Sequence, residues 1–125
     1  MHQPFRRLAP YAVAVATAAA IAAPASSGAA STCKLSLKQA RSMGPTYVTK
    51  LRVSGTSCAN GIKVTKAYQS CRLKHGKKGR CTTKVLGFSC TDRRPASESI
   101  PTQFTGHVTC KKGGARVLHD YQQDT

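Results

Sequence analysis

The chain is poor in acidic residues, has no tryptophan, and has no cysteine pair at metal-binding spacing. Four Asp and Glu stand against 20 Lys and Arg in 125 residues, so the formal net charge is +16 and a polyanion-repelling acidic surface is excluded. No CxxC pair occurs, the closest cysteines are nine positions apart, and no histidines flank them at zinc-finger spacing. A structural zinc site is therefore not predicted.

Motifs of the common hydrolases and nucleotide-binding proteins are also missing. The sequence contains no GxSxG, HExxH or P-loop spacing, and only four side chains supply carboxylates: Asp92, Glu98, Asp120 and Asp124. A glycosidase needs two opposed carboxylates in a cleft. We expect Glu98, in a proline-containing loop with no obvious partner, to be a solvated surface residue. No catalytic residue, cofactor or metal ligand is predicted.

The histidines are the remaining candidates for acid–base chemistry. A ribonuclease-like mechanism would use two of the three that follow residue 30, His75, His107 and His119, with a lysine beside the developing charge. However, His107 and His119 fall on the two arms of a predicted hairpin. An even-numbered turn places them on opposite faces of the sheet, which argues against a catalytic pair.

The N-terminus has the pattern of a secretory signal peptide. Residues 1–7 end in two arginines, and residues 11–23 are an unbroken, weakly apolar stretch. That stretch is shorter than the roughly 20 residues that a membrane-spanning helix requires. Small residues allow cleavage after Ala25 or after Ala30, and an uncleaved anchor helix is the less favoured alternative.

Removal of residues 1–30 leaves one small domain, 31–125, which we expect to be secreted without a lipid anchor or a transmembrane segment. It keeps 18 basic and four acidic residues, a formal charge of +14. It also keeps an even set of cysteines, which in a small exported protein predicts up to three disulfides. The candidates are Cys33, Cys58, Cys71, Cys81, Cys90 and Cys110.

The cysteine spacing favours one local pairing. Cys71 and Cys81 enclose the glycine-broken basic segment Arg72–Arg80, and we expect a disulfide between them to display a cationic tip. Six cysteines allow fifteen fully paired schemes, so the other two bridges stay open.

Hydrophobic periodicity changes from that of a strand to that of a helix after Val53. Thr46 to Val53 alternates with a period of two, with Tyr47, Thr49, Leu51 and Val53 on one face, as in a half-buried strand. From Cys58 to Cys71 the period becomes helical, with Ser57 as N-cap. Its apolar stripe contains Val64, Ala67, Tyr68 and Cys71, and Gln69 is placed away from it.

The C-terminal part predicts a β-hairpin. Phe104–Cys110 and Ala115–Tyr121 flank a Lys-Lys-Gly-Gly turn. The other expectations are a first strand within Ser31–Leu37, a strand at Lys84–Thr91 with Leu86, Phe88 and Cys90 on one face, a mobile polar loop at Asp92–Gln103, and a frayed end at Gln122–Thr125. The predicted fold is α+β: one helix packed on a small antiparallel sheet of three to five strands, stabilised by disulfides.

Three short motifs resemble a group of small secreted proteins frequent in actinobacteria. They are TSC at 56–58, GFSC at 87–90 and VTCKKGGARV at 108–117, and the resemblance covers about half of the mature chain. It implies a signal peptide followed by one cysteine-stapled α+β domain, and it implies no catalytic residue. Cys71, Cys81 and the basic segment between them depart from that pattern.

Positive charge is the remaining functional signal. We expect a secreted, non-enzymatic basic domain that associates with anionic envelope or extracellular polymers. Sequence-specific recognition of nucleic acid is not predicted, because no recognition-helix motif occurs and aromatic residues are few. Alternatives are an inhibitor or toxin-like effector that binds a protein, a small secreted hydrolase, and charge that serves solubility alone. The candidate ligand-binding residues are Lys63, Lys66, Arg72, Lys74, Lys77, Lys78, Arg80, Lys111, Lys112 and Arg116.

Overall fold

The computed structural model describes residues 10–17 and 29–125. The predicted signal peptide and its cleavage position after Ala25 lie largely outside the described residues. Within the described ranges, no helix is both long and apolar enough to span a bilayer.

One long helix packs on a six-stranded antiparallel sheet, which confirms the predicted α+β class with a larger sheet than expected. The sheet order is β1-β2-β6-β5-β3, and β4 pairs with β5 beside β3. The elements in chain order are β1 Ser31–Thr32, α1 Leu37–Ser42, β2 Tyr47–Ser54, α2 Cys58–Leu73, β3 Ser89–Arg93, a 3₁₀ helix Ala96–Glu98, β4 Ser99–Ile100, β5 Gln103–Lys112 and β6 Ala115–Asp124.

The main helix begins where its cap predicts and runs two residues beyond Cys71. The Ser57 side chain accepts a hydrogen bond from the backbone N–H of Asn60, which satisfies one of the free donors of the first turn. Val64 and Tyr68, on the predicted apolar stripe, are fully buried against the sheet. The predicted helix is therefore confirmed.

A glycine lets the helix approach the sheet closely. A Cβ atom on Gly61 would lie 2.6 Å from Cγ1 of Val53 on β2, closer than carbon atoms pack. The intrinsic helix penalty of glycine, about 1 kcal/mol relative to alanine, is offset here by the packing of α2 onto β2.

The predicted hairpin is present, and it extends further than expected. A two-residue turn, Gly113–Gly114, joins β5 to β6, and Cys110 pairs with Val117 as the even-numbered turn requires. The expectation that residues 122–125 are frayed is wrong. β6 continues to Asp124 because it pairs with β5 on one side and β2 on the other, and Gln123 is buried.

A bulge alters the predicted face of β2. The register shifts between Val48 and Lys50, so Val48 is buried and Thr49 is exposed, the reverse of the simple alternation. Beyond the bulge, Leu51 and Val53 point into the core as predicted.

Three disulfides hold the domain together. Cys71 and Cys81 are bonded to each other, which confirms the predicted local bridge. Cys33–Cys58 links the segment after β1 to the start of α2, and Cys90–Cys110 joins β3 to β5. Within the described residues no cysteine is free.

The predicted first strand within Ser31–Leu37 is present only at its first two residues, and a short helix begins at its end. β1 ends at Thr32, and Leu37 begins α1 instead of continuing a strand. Ser36 and Gln39 form a capping box, in which each side chain bonds the other's backbone N–H. The Ser-x-x-Gln spacing is a sequence signal for a helix start that was missed.

The predicted strand at 84–91 is also wrong in its first half. Leu86 and Gly87 both have positive φ and form a tight turn that brings Val85 and Phe88 together in the core. Leu86 is consequently exposed, and the strand begins only at Ser89. The segment predicted as a mobile loop, 92–103, contains the end of β3, the 3₁₀ helix and β4.

Candidate anion-binding surface

The arginine at the end of α2 is buried. Arg72 has no exposed surface, and its guanidinium lies over the Tyr121 ring, 4.4 Å from the ring centroid. Arg72 Nε donates to Gln69 Oε1 (2.5 Å), Nη1 to the Lys77 carbonyl (2.8 Å) and Nη2 to Gln123 Oε1 (2.7 Å). Burial lowers the pKa of Arg72 from its ordinary value.

The placement of Arg72 corrects two expectations. Arg72 was predicted on the exposed cationic surface, and Gln69 away from the apolar stripe, yet both are fully buried. Arg72 follows Tyr68 by four residues, so it continues the inward stripe of the helix by one more turn. Arg72 therefore cannot contact a polymer, and it acts from inside the fold.

A second arginine, Arg94, binds the backbone that follows Lys77. Arg94 donates to the carbonyls of Lys78 (2.8 Å) and Gly79 (2.6 Å) and forms an ion pair with Asp92 (2.9 Å). Its guanidinium lies 4.5 Å from the centroid of the Phe104 ring. Charge-assisted bonds of this kind are about twice as strong as neutral ones.

The carboxylate of Asp92 joins this network to the core. Its Oδ2 atom accepts hydrogen bonds from the hydroxyls of Tyr68 (2.8 Å) and Tyr121 (2.7 Å). Burial, followed by the charge of Asp92, raises the pKa of both tyrosines well above the ordinary value. Asp92, predicted to begin a mobile loop, is therefore a structural anchor.

These contacts fix the loop Lys74–Arg80, which we call the 74–80 loop. Arginine side chains bind three consecutive carbonyls, residues 77–79, and the Cys71–Cys81 disulfide closes the base. The Arg80 side chain donates to the Asp92 carbonyl. The loop is thus anchored from inside, and its basic side chains face solvent: Lys74, Lys77, Lys78 and Arg80.

None of the four acidic residues neutralises an exposed lysine. Asp92 forms an ion pair with Arg94, and Asp124 accepts a hydrogen bond from Gln103. Glu98 and Asp120 both contact His107. Among the described residues, no lysine forms an ion pair. Residues 29–91 contain 13 Lys and Arg and no Asp or Glu. They include β1, α1, β2, α2, the 74–80 loop and the start of β3. The residue-by-residue prediction missed this asymmetry, although it is visible in the sequence.

The predicted binding residues fall into two groups. At one end of the sheet, the turn after β2 packs on the hairpin turn, because a Cβ on Gly55 would lie 2.4 Å from the Gly114 carbonyl oxygen. At the other end, Arg72 at the end of α2 bonds Gln123 near the end of β6. Ten-residue strands span about 30 Å. Lys111, Lys112 and Arg116 therefore lie at the opposite end of the sheet from the 74–80 loop, whereas Lys63, Lys66 and Lys74 lie on α2 and its C-cap.

The outer face of the sheet carries a separate cluster. His107 Nδ1 lies 2.8 Å from Asp120 Oδ1, and His107 Nε2 lies 2.5 Å from Glu98 Oε2. Hydrogen bonds to Asp120 and Glu98 raise the pKa of His107. The expectation that Glu98 has no partner is wrong, because the 3₁₀ helix places it over β5.

The histidines occupy opposite faces, as predicted. His119 pairs with Val108 on the buried face, whereas His107 points outward, so they do not form an acid–base pair. The carboxylates of Glu98 and Asp120 bind opposite nitrogens of the imidazole and do not converge on one point. In the described part of the chain, no group of three or more His, Cys, Asp or Glu is arranged to hold a metal.

The His107 cluster gives a testable pH dependence. Because the folded pKa of His107 is raised, its contribution to stability is fully present below the unfolded pKa of about 6.5 and is lost as pH rises through the folded value. We therefore expect His107→Gln to lower the free energy of unfolding more at pH 5.5 than at pH 9, measured by urea unfolding. The control is His75→Gln, at an exposed position. Equal losses at both pH values for His107→Gln would contradict the assignment.

Comparisons with protein-family models, with curated proteins and with solved structures found no match to this chain.

Proposed function

We propose that this protein is a secreted, non-enzymatic domain that associates with anionic envelope or extracellular polymers through its helix layer, formed by α1, α2 and the 74–80 loop. The observation that carries the proposal is the complete lack of acidic residues in 29–91, together with the exposure of the lysines there. Three disulfides fit an oxidising compartment outside the cytoplasm.

Two physical effects favour polymer binding by this layer. Lysines without acidic neighbours are free to neutralise the charges of a polyanion, and the counterions condensed on the polyanion are then released. The binding affinity therefore falls steeply as the salt concentration rises. The 74–80 loop is already held by Arg72, Arg94 and a disulfide, so little conformational entropy is lost when a ligand orders it.

Removal of charge from the loop should weaken binding more than the same change at the hairpin tip. We expect Lys74→Gln/Lys77→Gln/Lys78→Gln to lower the slope of log K against log salt by about 2, with an affinity loss of about tenfold or more. The measurement is salt-stepped co-sedimentation with isolated cell walls, with a neutral polysaccharide as control.

The matched variant is Lys111→Gln/Lys112→Gln/Arg116→Gln, which removes three charges at the far end of the sheet. It should retain most of the binding. Retention of the wild-type protein on the neutral polymer, or no binding to walls at physiological salt, would count against the proposal.

The anchored loop also favours a second candidate, an inhibitor that presents Lys74–Arg80 to a protein target. A loop whose backbone is fixed by Arg72 and Arg94 is preorganised for such a contact. This alternative predicts stoichiometric binding to one protein that persists at high salt, whereas polymer binding disappears.

A further inference from the structure

A groove runs between the C-terminal ends of the two helices. Its volume is about 520 Å³, and Met43 and Leu73 contribute its apolar lining. Lys66, Ser70 and Lys74 line its α2 side, and all three are exposed. The groove lies on the helix layer, outside the core network of Arg72.

A second hollow continues the groove along α1. Its lining residues are Leu37, Lys38, Arg41 and Ser42, and Ser42 also lines the first groove. Arg41 and Ser42 follow Lys38 by three and four residues, so all three lie towards one face of α1. The two hollows therefore adjoin at Ser42. We call the exposed polar side chains that line them the track: Lys38, Arg41, Ser42, Lys66, Ser70 and Lys74.

The donors along α2 are arranged in a line. Lys66, Ser70 and Lys74 follow one another at four-residue intervals, so they stack along one side of the helix over about 12 Å. An enclosed site for a single anion would surround it with donors. A line of ammonium and hydroxyl groups instead matches anionic groups repeated along a flexible chain.

The chemistry of the track favours phosphate without stacked bases. Guanidinium and ammonium groups donate to phosphate oxygens, and the hydroxyls of Ser42 and Ser70 add neutral donors. No aromatic side chain lines either hollow, so the track lacks the stacking surface that single-stranded nucleic acid uses. The half-buried side chain of Leu73 and the exposed side chain of Leu37 offer apolar surface for short aliphatic units between phosphates.

We infer that the track formed by Lys38, Arg41, Ser42, Lys66, Ser70 and Lys74 binds a linear phosphodiester polymer that carries no bases. This inference rests on the proposed function and names its ligand class. It adds Lys38 and Arg41 to the binding residues, which no sequence motif indicated.

The test compares two triple variants of the oxidised full chain that remove identical charges. The track variant is Lys38→Gln/Arg41→Gln/Lys66→Gln, and the control is Lys111→Gln/Lys112→Gln/Arg116→Gln. Both change only exposed side chains, so urea unfolding should show similar stability. The probes are poly(glycerol phosphate), inorganic polyphosphate, single-stranded DNA with the same number of phosphates, and heparin.

We expect the track variant to bind both base-free phosphate polymers about tenfold more weakly than the control variant at the same salt. The wild-type protein should prefer poly(glycerol phosphate) to DNA and heparin. It should also prefer it to inorganic polyphosphate, whose phosphates are joined by anhydride bonds with no carbon spacer between them.

Equal weakening by the two variants, or tighter binding of polyphosphate, DNA or heparin than of poly(glycerol phosphate), would overturn the inference and leave the proposed function standing. Absence of binding to every polyanion at physiological salt would overturn both. The two failures are therefore distinguishable in one series of measurements.

Discussion

Arg72→Ala is expected to lower the free energy of unfolding by about 3–5 kcal/mol, a large fraction of the stability of a small domain. The substitution removes a fully buried cation that binds Gln69, Gln123 and the Lys77 carbonyl at once. Those acceptors would then be left without a partner, and a cavity would open beside the Tyr121 ring. Urea unfolding with the disulfides intact measures the loss.

A matched exposed position separates this effect from a general effect of lost charge. Lys74 lies two residues after Arg72, and its side chain faces solvent. Lys74→Ala removes the same charge from this exposed position, so we expect the free energy of unfolding to change by about 0.5 kcal/mol or less. Arg72→Ala should also expose the 74–80 loop to faster proteolysis, because the Lys77 carbonyl loses its anchor. A destabilisation below about 1 kcal/mol would show that Arg72 is not the anchor described here.

The elements that the sequence predicts well are those with local causes. The hairpin follows from two alternating runs around a glycine turn, and α2 follows from its Ser57 cap and a helical stripe. The Cys71–Cys81 bridge spans only ten residues, so spacing indicates it. The pairing of β1 with β2 and of β3 with β5 depends on tertiary contacts that periodicity does not encode.

The binding residues were predicted less well, for two physical reasons. Arg72 lies on the buried stripe of α2, but its charge led to the prediction that it is on the surface. Lys38 and Arg41 were absent from the predicted set because α1 itself was missed, despite its capping box. The charge asymmetry of residues 29–91 was a stronger signal than any single lysine.

The buried histidine is expected to make the protein sensitive to acid. His119 is 1% exposed and packs between Tyr68 and Tyr121, with ring centroids 5.7 and 5.9 Å away. Burial lowers its pKa to about 3. Gln69 uses its oxygen to accept from Arg72, so its Nε2 donates to His119 Nε2 (3.0 Å), which requires that ring nitrogen to be unprotonated.

The unfolded chain therefore binds a proton at this histidine below pH 6.5, where the folded chain does not, and stability falls as pH decreases from about 6.5 towards 3. We expect this group alone to contribute a slope of up to about 1.4 kcal/mol per pH unit. Urea unfolding between pH 6 and 4.5 measures it, and His119→Gln should reduce the slope by about that amount even though it lowers stability at pH 7. His107→Gln should keep the acid slope, because His107 is protonated in both the folded and the unfolded chain at the lower end of this range. An unchanged slope in His119→Gln would mean that the pH dependence arises from the carboxylates instead.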